Sequence, residues 1–255
     1  DRDDQRHSTG GRMSTPAKHD WDFPGLRSVL VSQTVRLLTL PRAKALGAAA
    51  FLIGVVPALL GGVMISTGGE QPHRLPETLG LTGVVALGCL GGCSAGAMDS
   101  GGEAVTALLA VPRRGILAGA RIASLLLTTV PPALVIAVID RSVRSWTERG
   151  VDGSSSWWAV LAGYLCSVVA FTLVGMALSV VLSNAVLAAA ILSLMPVLLL
   201  PWVDRWCPLL VRLLPYSACG AALTGPGWAT AILELVGWAI VAAAVYTTHL
   251  LLRNG

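Results

Sequence analysis

Charge is scarce in this sequence. Only 13% of its 255 residues are Asp, Glu, Lys or Arg, against about 25% in an ordinary soluble domain. So little charge cannot give a chain of 26.4 kDa a soluble surface. That argues against a cytosolic enzyme, a nucleic-acid-binding domain and a disordered protein. Lysine is scarcer still, with only Lys18 and Lys44. A phosphate-binding Walker A loop needs Gly-x-x-x-x-Gly-Lys-Ser/Thr, and neither lysine has that context. The chain therefore has no ATP site of its own. Aromatic residues make up 5%, so the 54% hydrophobic content is mostly aliphatic residues and Ala. The five cysteines show no metal-ligand spacing.

Long apolar runs are what the sequence has in excess. Six of them, at 45–66, 80–98, 116–139, 158–182, 185–203 and 228–250, each approach or exceed the roughly 20 residues a spanning helix needs. None alternates as a barrel strand does. The first run is too long for a signal peptide, and five more follow it. The expectation is an all-α membrane protein with six transmembrane helices in 45–250. With the N-terminus inside, twelve of the 18 Lys and Arg residues fall in inner segments. The positive-inside rule then puts both termini in the cytoplasm of a multi-pass plasma-membrane protein. Trp157, Trp158, Trp202, Trp206 and Trp228 cluster at the expected outer boundary, as an aromatic belt does. The net charge of +4 reads as a topology signal facing anionic lipid, and nothing in it points to nucleic acid.

Apolar character also lies outside the spans. Residues 1–23 are polar and are expected to form a flexible cytoplasmic tail, with Met13 a candidate start. Residues 24–40 read as an interfacial amphipathic helix. Ser28, Ser32, Arg36 and Thr39 share one face, with Arg27 beside them, and Leu26, Val29, Leu30, Leu37 and Leu40 fall broadly opposite. The loop after the second run holds a short apolar helical segment at 103–111, stopped by Pro112. Such a segment is too short to be stable alone and needs a partner surface. Ser183-Asn184 forms a tight turn between runs four and five. Residues 208–214 and 217–223 are apolar but too short to span, and read as outer re-entrant pieces.

Together these segments resemble the membrane subunit of the type-2 ABC transporter permease family. The resemblance rests on the interfacial "elbow" with Arg27, Ser28, Ser32 and Arg36, and on the loop after the second run. That loop has an acidic residue, glycines, Thr106, the pair Leu108-Leu109, and then Val111-Pro112-Arg113-Arg114. Leu213-Leu214-Pro215-Tyr216-Ser217-Ala218 matches the last outer segment. The chain departs from the family pattern in having Asp99 with a later Glu103-Ala-Val-Thr106, and Ser183-Asn184 where a basic residue is common. The resemblance implies an exporter, acting in efflux of a hydrophobic or amphipathic substrate. It implies a second permease subunit, the same or homologous, in a dimer within the lipid bilayer. It also implies ABC ATPase subunits that bind ATP and Mg. The ATPase would be met through the elbow and through a coupling helix carrying Glu103, Thr106, Leu108, Leu109, Pro112, Arg113 and Arg114. The chain itself would be no enzyme and would hold no cofactor or metal.

Single residues add expectations of their own. Gly88, Gly92 and Gly96 recur every four residues and suit close helix packing. Glu234 reads as the one intramembrane carboxylate, either lining a substrate path or held protonated by a neighbouring helix. Arg121 is expected to snorkel to the interface. Pro57, Pro131, Pro132 and Pro196 are expected to kink their helices. Cys89 and Cys93 share a helix face and suit apolar packing. Cys207 and Cys219 lie in one outer segment and are a candidate disulfide. Gly92-Cys93-Ser94-Ala95-Gly96 has the Gly-x-Ser-x-Gly form of a nucleophile elbow, with His249 as the one histidine near a span. That leaves two rival classes: a rhomboid-type intramembrane serine protease, and a non-transporting six-span immunity or assembly factor.

Overall fold

The computed structural model describes residues 26–39, 52, 75–100, 114–147, 157–195, 205–207, 214–224 and 227–252, and the regular elements among them are helical. Seven helices follow in chain order: α1 (Leu26–Thr39), α2 (Leu75–Ser100), α3 (Arg114–Thr147), α4 (Trp157–Val181), α5 (Ala185–Leu194), α6 (Pro215–Thr224) and α7 (Trp228–Leu252). Three stretches are long and apolar enough to cross a membrane: Gly115–Ser142, Trp157–Val181 and Trp228–Leu252. Among the described residues the protein is thus all-helical, with membrane-spanning character. The second apolar run lies inside α2, and the start of the fifth is α5. The first run lies outside the described residues apart from Leu52, as do residues 196–203 and 208–213.

Helix α4 is the hub. It packs against α2, α3, α5, α6 and α7, and 67% of its apolar window is buried, against 33% for α3 and 17% for α7. Its neighbours surround it with three apolar clusters. Leu87, Ala133, Ile136, Ala137, Val160 and Val168 join α2, α3 and α4. Ala118, Leu125, Met176, Val180 and Leu250 join α3, α4 and α7. Phe171, Ala188, Ala218 and Leu235 join α4, α5, α6 and α7. α1 stands apart and buries Val29 against Leu117 and Ala120 in the first turns of α3. Ser28 and Ser32 are exposed, and so are Val31 and Val35.

Helix α3 is longer than its apolar run. It continues through Asp140-Arg-Ser-Val-Arg-Ser-Trp-Thr147, because backbone hydrogen bonding does not end where hydropathy falls. It also runs through Pro131-Pro132 as one helix. At the other end of α4, the chain reverses over two residues. Ser183 takes a left-handed φ of 52°, and Asn184 caps α5 by accepting from Val186 N and Leu187 N at 3.0 and 3.1 Å.

Helix α6 begins at Pro215, whose fixed φ suits a first helical position. It replaces the expected 217–223 piece with a slightly longer helix. Tyr216 holds it in place. Its ring lies against Phe171 at 4.8 Å, and its hydroxyl donates to Leu192 O at 2.5 Å.

Candidate functional site

Among the described residues, α2 and α4 make the most intimate helix contact. A Cβ added at Gly88 would lie 2.8 Å from Phe171 Cβ, and one at Gly92 would lie 2.8 Å from Met176 N and nearer still to Thr172 O. At Gly96 it would overlap Ser179 Oγ. The contact is reciprocal, since a Cβ on Gly175 of α4 would meet Cys89 O at 3.0 Å. Glycine removes the side chain that would hold two backbones apart. The seam is filled, leaving no room for a ligand at these glycines.

Four buried hydroxyls of α3 and α4 are turned onto their own helices, whereas Thr172 Oγ1 at the seam has no partner among the described residues. Ser124, Thr129, Ser167 and Ser179 donate to carbonyls three or four residues back, at 2.7–2.9 Å. This is how hydroxyls are satisfied away from water. Ser94 does the same, donating to Gly91 O at 2.8 Å. It lies inside α2, six residues before its end, not on the strand-to-helix turn that exposes a nucleophile. The Gly-x-Ser-x-Gly pattern here is a small-residue helix face.

Two charged side chains lie where the sequence did not place them. Arg121 is buried and lies beside Tyr246 of α7. Asp140 is also buried, at 4% exposure, and accepts from the Tyr164 hydroxyl at 2.6 Å. Asp140 is thus a second carboxylate within an apolar helix, at the end of the Gly115–Ser142 stretch. Glu234 is exposed on α7, beside Leu233 and Val236. Asp140 ended a hydropathy run, so it resembled a loop residue. Its partner lies 24 positions along the chain, and no local pattern links them.

The cysteines form no disulfide. All five are free, with Cys207 exposed and Cys219 buried. Cys219 Sγ lies 2.9 Å from Ser167 Oγ on α4, to which it donates. Cys219 is buried in the seat of α6 while Cys207 is exposed, and the two are not bonded. Cys89 and Cys93 pack in the same cluster, and Cys93 Sγ approaches Gly175 O at 3.7 Å. Among the described residues no group of His, Cys, Asp and Glu could hold a metal ion.

Of the expected coupling residues, Glu103, Thr106, Leu108, Leu109, Pro112 and Arg113 lie outside the described residues, and Arg114 is the first residue of α3. Of the expected elbow residues, Arg27, Ser28, Ser32 and Arg36 all belong to α1, and the first three are exposed. No protein-family model, curated protein or solved structure matches the chain.

Proposed function

We propose that the chain is the permease subunit of an ABC exporter. In this reading six helices span the plasma membrane, both termini are cytoplasmic, and a second permease subunit completes the path. A separate ATPase chain binds ATP and Mg. The observation that carries the reading is the seat of α1. Its Val29 packs on Leu117 and Ala120, in the first two turns of the helix that begins at Arg114. In this reading the elbow is seated on the helix that follows the coupling loop in sequence.

That seat gives a route for force. An ATPase pressing on 103–114 and on α1 acts on the first turns of α3. From there Ala118 and Leu125 pass the load to Met176 and Val180 of α4 and to Tyr246 and Leu250 of α7 through one apolar cluster. The substrate class is hydrophobic or amphipathic, since the open side of α7 presents Leu233, Ile240 and Val241.

The test is purification of the chain from its own membranes in mild detergent. A Walker-A-containing ATPase should remain bound and hydrolyse MgATP. Alanine substitution across 104–111 should leave hydrolysis running while substrate transport stops. A chain that purifies without an ATPase overturns the proposal in favour of a non-transporting membrane protein.

A further inference from the structure

Two consecutive residues of α3 meet two residues on one face of α4. Asp140 accepts from the Tyr164 hydroxyl at 2.6 Å, and the Arg141 guanidinium lies over the Trp157 ring at 6.0 Å. Trp157 and Tyr164 are seven residues apart, close to two helical turns, so they share a face of α4. The order fits antiparallel helices. Asp140 is the deeper residue on α3, and its partner Tyr164 is the deeper residue on α4.

The pair of contacts also ends an apolar zip. Ala133, Ile136 and Ala137 of α3 pack on Val160, Tyr164 and Val168 of α4, and Asp140 stands one turn beyond Ile136 and Ala137. Apolar contact alone specifies register weakly inside a membrane, where lipid chains compete for the same surface. A buried carboxylate needs a donor, and an arginine over an indole adds a second directional contact. Parting the helices at this end would uncover both at once.

We propose that Asp140, Arg141, Trp157 and Tyr164 form a clasp that keeps this end of the α3–α4 pair closed, so that the two helices move as one body. The clasp acts whether or not the chain is a permease subunit.

Hydrogen exchange of the purified full chain in lipid nanodiscs tests it. Asp140→Leu and Tyr164→Phe should each raise exchange about three- to tenfold for amides 140–147 and 157–161. Amides 116–125 should stay unchanged. The double variant should exchange no faster than the faster single, because both lose the same bond. Asp140→Asn keeps an acceptor and should stay near the parent chain. Arg141→Ala alters a partly exposed residue and should raise exchange at 157–161 in a folded chain. Unchanged exchange in all these variants, or a uniform rise along α3, overturns the clasp. Additive effects in the double variant overturn the direct link between Asp140 and Tyr164.

Discussion

The Tyr216 hydroxyl donates to the backbone carbonyl of Leu192, and the sequence explains why that carbonyl is open. In a continuing helix Leu192 O would accept from the N–H of residue 196. Residue 196 is proline and has no N–H. The side chain of a short helix 24 residues later supplies the missing donor. α6 is thus tied to the last turn of α5.

Tyr216→Phe should therefore cost about 1 kcal/mol, as membrane-protein hydrogen bonds do. It keeps the ring contact with Phe171 and removes only the hydroxyl. Restoring a backbone donor with Pro196→Ala should shrink that cost. Reversible unfolding in mixed micelles, run as a double-mutant cycle, measures both. A cost unaffected by Pro196→Ala would show that the two positions do not share the carbonyl.

The glycine seam makes a sharper contrast. Gly92→Ala places a Cβ against Thr172 O and 2.8 Å from Met176 N. These are backbone atoms, so whole helices must part. The expected loss is about 2–3 kcal/mol, at the upper end for overpacking. Gly119 has nothing within 4 Å of its would-be Cβ. Gly119→Ala should be neutral or gain up to about 1 kcal/mol from helix propensity. Thermal stability of the two variants side by side decides it, and equal behaviour would contradict the seam.

The turn between α4 and α5 divides its requirements between two residues. Asn184→Ala removes the cap on two N–H groups and should cost about 1 kcal/mol. Ser183 holds a left-handed φ of 52°, where a side chain is strained. Ser183→Gly should stabilise by about 0.5–1 kcal/mol. Opposite signs at adjacent positions are the expected result in the same unfolding measurement.

Helices were legible in the sequence to the extent that hydropathy and helix ends coincide. Run 158–182 became Trp157–Val181, and run 228–250 became Trp228–Leu252. They parted at 139, where Asp140 and Arg141 ended the run but not the helix. The glycines were legible because their spacing of four places them on one face. Asp140, Arg121 and Tyr216 were not, because each takes its role from a residue on another helix. A charge at a run's edge looks the same whether it faces water or a tyrosine.

Glu234 offers the test closest to function. It lies six residues from Trp228, about 9 Å along α7, on the helix face that also exposes Gly237, Val241 and Val245. A charged side chain set among acyl chains costs a few kcal/mol, about 2.5–3.5 on insertion scales. Covering that face with protein or water lowers the cost. As part of the proposed exporter, Glu234 lines the path and attracts cationic substrates. Glu234→Gln keeps the shape and removes the charge. Transport of a cationic amphiphile should fall about tenfold, the equivalent of about 1.4 kcal/mol. Transport of a neutral analogue, assembly and ATPase binding should not change. Equal loss for both substrates would assign Glu234 to helix packing. No loss for either would take it out of the path.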